Sequence, residues 1–589
     1  MRNILVLGCL FLFSCAGVPS KHLQVTTPQY AISTQGIESS QAAAEILQAG
    51  GNLFDAAIAA SFVVSVERPH STGIGGGGFW ISKDSRSGKI VALDFRERAP
   101  KHLGAIQRNL RKDPKRLASL LQDSPLGTAV PGFVAGMEEI HRRFGKLPWR
   151  QLLQPAIRTA SSGFKIYPDL ADALADRRDI LIRDPDASRI FLHSDGSPRK
   201  AGEILIQQDL ANTLNAIAIE GAASFYTGSL SKKISSWLRR HGSAISAKDL
   251  RTYKTIEREP IIIRSFGRKL ALMPPPSSGG VLLPQMLKLL EPEASRLQAW
   301  GPTDPRSLHR IAQAMQLAYA DRARYLGDPA FAPIPVKALL SDEYLQSRRK
   351  LSFGDRAVSA QEILPMNSAL WKQLLQRFHE SSDTTHLSLI DTEGNAIATT
   401  QSINGWMGSG QIISGTGILL NNTMDDFSIA EGIQNLYGAI GSKPNRIEGG
   451  KTPLSSMTPT LVFDSTVPDQ PTMAIGAPGG TRIITCVLQV LLDRWIHDYP
   501  LAEAIALPRI HQQWIPDELV LEEPAPRMKF SKESFEFLKG LGHPVKRDEV
   551  HCRVLAVERN AQTLSAATDP RDIGLAIVHD SNPAAASRR

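Results

Sequence analysis

The stretch Asp383-Thr384-Thr385-His386-Leu387-Ser388-Leu389-Ile390 carries the residues best suited to covalent chemistry. A polar lead-in gives way to an alternating apolar pattern. The turn Asp391-Thr392-Glu393-Gly394-Asn395 and a second apolar run follow, as in a β-hairpin. If the Asp383–Thr384 bond is cut, Thr384 becomes an N-terminus, and an N-terminal threonine carries nucleophile and base on one residue. A Thr-Thr pair is also what an ordinary strand start looks like, because threonine is a good strand former. Two further positions could do chemistry. Arg96, in Asp94-Phe95-Arg96-Glu97-Arg98, reads either as a salt-bridged surface residue or as a bidentate grip on a carboxylate. Asp425-Asp426, within Asn421 to Ser428, reads either as a solvated turn or as the countercharge to an ammonium group.

Other chemistries find no support. The 14 histidines form no HxxxH or HExxH pattern, so no metal site is expected. No Gly-x-Ser-x-Gly nucleophile elbow exists. Gly73 to Gly78 matches a dinucleotide-binding pattern, but the strand-like Phe79-Trp80-Ile81-Ser82 follows where that site needs a helix N-terminus. Close backbone packing, or approach to a small substrate, accounts better for these glycines.

The elements that must position these residues follow from pattern. With 589 residues, 42% hydrophobic and 21% charged, the chain can bury large cores. Its net charge of +9 is scattered, without the aromatic interleaving of a nucleic-acid site. Tyr30 to Val66 reads as helical, with the run after Asp55 apolar nearly all round and hence buried. Val91 to Phe95 reads as a strand. From Leu147 to Leu351 helical patterning dominates, Ser307 to Tyr325 most clearly, and Pro274 to Gly280 forms a rigid turn into a helix over Val281 to Leu290. Ser352 to Phe378 reads as a looser connection, and from Thr384 onward short strands and Gly-rich turns take over.

Residues 1–15 read as a targeting segment: Arg2, an apolar run from Ile4 to Phe13 too short to span a bilayer, then Ser14-Cys15-Ala16-Gly17. That junction is similar to a bacterial lipoprotein signal with lipidation at Cys15, which predicts a periplasmic or membrane-anchored lipoprotein; secretion without lipid is the alternative. Of the remaining cysteines, Cys486 and Cys552 either pair or stay as buried thiols, and spacing does not choose.

The segments STGIGGGGF, LDFRERAP, PPPSSGG, AYADRARYLGDP, DTTHLSLID, GILLNNTMDDFS, PLSSMTPT and APGGTRI, with the stretch from Pro508 to Leu519, stand in one order over most of the chain. In this they resemble the γ-glutamyltransferase family of N-terminal-nucleophile hydrolases. The resemblance implies an α+β fold, a four-layer αββα sandwich built jointly by two subunits after self-cleavage at Asp383–Thr384. Residues 16–383 would form the large subunit and 384–589 the small one, a heterodimer. It implies γ-glutamyl transfer from glutathione and related γ-glutamyl compounds to water or to amino acid and peptide acceptors, through an ester on Thr384, with no cofactor. By the same resemblance Gly479 and Gly480 form the oxyanion hole, and Thr385 helps orient the nucleophile. Arg96, Ser455 and Ser456 hold the donor α-carboxylate; Asn404 and Asp426 hold its α-amine; Tyr437 closes the pocket. Two positions depart from the family. Ser402 replaces a threonine that bonds the nucleophile, keeping the hydroxyl. Thr423 replaces a Gln or Glu that touches the donor amine, and its shorter side chain reaches less far. Relatives such as glutaryl-cephalosporin acylases run the same machinery on an acyl group without the amine.

Overall fold

The computed structural model describes residues 29–364, 384–430, 433–464, 469–560 and 563–579. Cys15 and Asp383 lie outside the described residues. Two sheets stack at the centre. The first comprises β1 (Tyr30–Thr34), β2 (Gly77–Lys83), β3 (Ile90–Asp94), β4 (Ile256–Arg258), β7 (Thr385–Asp391), β8 (Ala396–Ser402) and β13 (Leu575–His579). The second comprises β5 (Ile261–Ser265), β6 (Arg268–Leu272), β9 (Thr460–Phe463), β10 (Met473–Gly476), β11 (Leu555–Arg559) and β12 (Leu564–Ala567). The first runs β13-β1-β7-β8-β2-β3-β4 and the second β12-β11-β10-β9-β6-β5, both antiparallel throughout.

Strand alternation sorts the side chains into layers. Leu387 and Leu389 of β7 join a core with the helices α1 (Ile37–Gln48) and α2 (Leu53–Glu67), while Ile390 turns to the other face. There it meets Ala31, Ile81 and Ala398 of its own sheet, and Ala271, Leu461, Ala474 and Val557 of the second. The far face of the second sheet packs under α3 (Gly279–Leu290), α4 (Pro305–Tyr325) and α5 (Arg482–Trp495). The result is the αββα sandwich that the resemblance implied.

The hairpin β7–β8 sits mid-sheet with Ala396 opposite Ile390 and Gln401 opposite Thr385. Next to it, β2 pairs with β8 so closely that the glycine run is required. A Cβ on Gly76 would lie 2.2 Å from the Ser402 carbonyl oxygen, and one on Gly78 would lie 2.3 Å from that of Thr400. Backbone packing is therefore what those glycines serve.

Several expectations need correction. Tyr30–Thr34 is a strand, and helix begins only at Ile37. The helical stretch after Leu147 is interrupted by β4 to β6, and the strand-rich C-terminal part contains α5. Cys486 and Cys552 form a disulfide, so the buried-thiol alternative falls. It ties α5 to the segment leading into β11.

Candidate active site

Thr384 stands at the entrance to β7, with a backbone φ of +98°. For a β-branched residue this region is strained, at a cost of order 1–3 kcal/mol. Its hydroxyl donates to Ser402 Oγ at 3.2 Å, at the end of β8. Ser402 Oγ also accepts the Asn404 N–H at 2.9 Å. The hairpin register thus brings the Thr384 and Ser402 hydroxyls together across adjacent strands.

Thr384 opens into a narrow cleft that is also lined by Arg96, Ser402, Asn404, Asp426, Tyr437, Ser455, Ser456 and Gly480. Chain segments far apart in sequence supply them. Arg96 follows β3; Asp426 ends the short turn Thr423–Asp426; the serines precede β9; Gly480 lies between β10 and α5. The Arg96 guanidinium is ion-paired with Asp426, whose other oxygen accepts the Asn435 amide at 3.2 Å. Burial pushes the Asp426 carboxyl up, and Arg96 and Arg322 pull it back. The two groups expected to hold opposite ends of a zwitterion are therefore ion-paired with each other.

The Tyr437 ring roofs the cleft. Its hydroxyl donates to the Asn404 carbonyl at 3.0 Å, while its backbone N–H and carbonyl are held by Asn435 and Gln513. The ring lies so near Gly480 that a Cβ there would be 2.4 Å from Tyr437 Cδ1. Gly479 and Gly480 have φ of +126° and +55°, so this turn favours glycine on conformational grounds as well.

Three expected residues do not line the cleft. Thr385 is buried in β7, its hydroxyl without a partner among the described residues, and pairs through the backbone register with Gln401. Gly479 sits behind Gly480, against His551 and Cys552. The Thr423 hydroxyl donates to Glu97 Oε1 at 2.9 Å and points away from the pocket. Burial raises the Glu97 carboxyl. Beside it, burial above all pushes Asp425 up to about 7, with the neighbouring Asp426 charge adding to the effect.

Among the lining residues that sequence reading did not assign to the site are Asn435 and Arg322, whose side chains bond Asp426 and Ser456. Arg322 lies within AYADRARYLGDP, from which Tyr319 also donates to the Thr481 carbonyl, bracing the glycine turn. The Pro274 to Gly280 turn is laced to the serine pair. Ser278 N–H and Oγ both donate to the Ser455 carbonyl, at 2.7 and 2.8 Å, and Ser277 Oγ donates to the Met457 carbonyl at 2.7 Å.

The arrangement places one activated-type hydroxyl, a glycine turn and a charged, hydroxyl-rich end wall in one small space. That is the equipment of acyl transfer on a zwitterionic donor. A family model described as gamma-glutamyltranspeptidase matches residues 39–579. The chain is 35% identical over 552 residues to the glutathione hydrolase proenzyme of Escherichia coli (strain K12), covering 93% of this chain and 91% of that protein. Among solved structures, a cephalosporin acylase from Bacillus halodurans matches with a TM-score of 0.80 at 25% identity, covering 97% of this chain and 100% of that one. The Helicobacter pylori gamma-glutamyltranspeptidase matches with a TM-score of 0.50 at 35% identity, covering 53% of this chain and 88% of that one.

Proposed function

The chain belongs to the gamma-glutamyltranspeptidase family of γ-glutamyl-hydrolysing and γ-glutamyl-transferring enzymes, and on that premise we propose that Thr384 is its nucleophile, freed by self-cleavage at Asp383–Thr384. The observation that carries the reading is the cleft itself, with the Thr384 hydroxyl at one end and the Arg96–Asp426 pair beside Ser455 and Ser456 at the other. In the precursor the Thr384 hydroxyl attacks the Asp383 carbonyl and the ester is hydrolysed, yielding residues 16–383 and 384–589 as two subunits. The strained backbone at Thr384 favours this step, because cleavage releases it.

In the processed enzyme a γ-glutamyl donor such as glutathione inserts its head between Arg96 and Asp426. The α-carboxylate meets Arg96, Ser455 and Ser456; the α-ammonium meets Asp426 and Asn404. Each buried charge exchanges one opposite partner for another, so neither is left unpaired, which would be costly. The Thr384 amine takes the hydroxyl proton as Oγ attacks the γ-carbonyl, and the backbone N–H groups at Gly479 and Gly480 receive the developing oxyanion. The leaving amine departs protonated. Water, an amino acid or a peptide then resolves the ester. Tyr437 shields the intermediate. Residues 1–15 direct export, with Cys15 as a lipid attachment point.

The test is a denaturing gel of wild type beside Thr384→Ala, with N-terminal sequencing of the smaller band and turnover of γ-glutamyl-p-nitroanilide. Two fragments, the smaller starting at Thr384, and an uncut, inactive variant are expected; a wild type that never cleaves defeats the mechanism. The likeness to a cephalosporin acylase favours a second reading, a donor without an amine. A glutaryl anilide turned over faster than the γ-glutamyl one would favour it, since Asp426 would then have no cation to bind.

A further inference from the structure

Behind the serine pair stands a guanidinium with no acid of its own. Arg322 lies on α4, one turn from Tyr319, so one helix face reaches both the serines and the glycine turn. Arg322 Nε donates to Ser278 Oγ at 3.1 Å and Nη2 donates to Ser456 Oγ at 3.3 Å. The side chain is buried, and no carboxylate among the described residues forms an ion pair with it. Buried arginines are ordinarily matched by a carboxylate, because an unmatched charge away from water is costly. Here Asp426 and Glu97 both sit against Arg96, Glu97 at 3.7 Å. The end wall of the cleft therefore presents two guanidiniums, of which only Arg96 is ion-paired among the described residues.

The hydroxyl protons follow from the same contacts. A serine oxygen that accepts an N–H has its single O–H left to give elsewhere. Ser278 gives its proton to the Ser455 carbonyl. Ser456, which lines the cleft, has no acceptor for its O–H among the described residues. With Arg322 occupying one lone pair of Ser456, the O–H is left to donate to an anionic oxygen that enters the cleft.

We propose, resting on the reading of this cleft as a γ-glutamyl donor site, that Arg322 is a positioning residue for the donor's α-carboxylate, acting through the Ser456 hydroxyl that its guanidinium holds. It specifies a carboxylate at that end of the donor and leaves the chemistry at Thr384 untouched.

The experiment compares γ-glutamyl-p-nitroanilide with 4-aminobutyryl-p-nitroanilide, which keeps the amine and lacks the α-carboxylate, in wild type, Arg322→Gln, Arg322→Lys, Ser456→Ala and the Arg322→Gln/Ser456→Ala double variant. Loss of hydrogen bonds to a charged group predicts a fall in kcat/KM of roughly 10- to 100-fold for the γ-glutamyl substrate in Arg322→Gln, carried by KM. The aminobutyryl substrate should change by less than about threefold, Arg322→Lys should recover part of the loss, and the Arg322 effect should shrink in the Ser456→Ala background. Equal losses on both substrates, an unchanged KM, or failure of both Arg322 variants to fold and process would overturn the proposal and leave Arg322 a structural residue. A wild type inert on γ-glutamyl-p-nitroanilide would instead overturn the donor reading on which it rests.

Discussion

Replacing Gly480 with alanine tests how the aromatic roof is seated over the cleft at Thr384. A Cβ at this position would stand 2.4 Å from Tyr437 Cδ1, 2.6 Å from Cε1 and 3.2 Å from Cγ. Comfortable carbon contacts need about 3.5–4.0 Å, so the ring must move. The backbone contributes separately, since φ of +55° costs an alanine about 1–2 kcal/mol. Overpacking adds about 1–3 kcal/mol, for a total of about 2–5 kcal/mol in the closed cleft. A displaced ring also loses the Tyr437 hydroxyl's bond to Asn404, the loop that holds Ser402 in place. The two terms separate in a double-mutant cycle of Gly480→Ala with Tyr437→Ala, read as kcat/KM on γ-glutamyl-p-nitroanilide. With the ring gone only the backbone term survives, so the two sites should couple by about 1–3 kcal/mol, or roughly 5- to 150-fold. If Gly480→Ala costs the same with and without the ring, the steric argument is wrong.

Other outcomes follow from single contacts. Ser402→Ala removes the acceptor of both Thr384 Oγ1 and the Asn404 N–H, leaving a buried donor unpaired at a cost of about 1–3 kcal/mol. Its kcat should fall roughly 5- to 150-fold while Ser402→Thr stays near wild type, and an undiminished kcat in Ser402→Ala would contradict the role given to this hydroxyl. Opening the Cys486–Cys552 bridge, which spans 66 residues, should destabilise the protein by about 4 kcal/mol in the chain-entropy account. Because Cys552 packs behind Gly479, activity should fall at temperatures where the fold survives; identical melting curves with and without reductant would rule the bridge out. Asp425, pushed by burial from about 3.8 to about 7, favours the folded state most at low pH. That contribution is complete below about pH 4 and is lost as the pH rises through 7, so Asp425→Asn should flatten the fall in Tm between pH 4.5 and 7.5. Superimposable wild-type and variant slopes would refute it.

Local pattern carried a good deal of this protein. The period-two alternation from Leu387 to Ile390 and the Gly394-Asn395 turn define the β7–β8 hairpin, because side chains on a half-buried strand must alternate. The strand after Gly73 to Gly78 excluded a dinucleotide site, and the register against β8 explains why nothing larger than glycine fits. Local pattern misled at Tyr30–Thr34, five residues followed at once by an alanine-rich helix. A short central strand that pairs on both edges with segments hundreds of residues away leaves no periodic trace of its own.

The cleft was legible as a set of residues through the family resemblance, but which of them touch one another was decided in three dimensions. Thr423 and Asp426 share one turn, yet one hydroxyl faces Glu97 and the other side chain faces Arg96. The Arg322 guanidinium meets Ser456, 134 positions further on, a contact with no local trace in the sequence. The Cys486–Cys552 pair and the mutual neutralisation of Arg96 and Asp426, 330 positions apart, are likewise long-range events. Sequence alone determined the elements and the candidate nucleophile, because helix and strand periodicity are local properties of the chain. Which charges are matched, which hydroxyl proton is free and which side chains share a wall were decided only by tertiary structure, since burial and electrostatic partnership depend on segments the local pattern does not bring together.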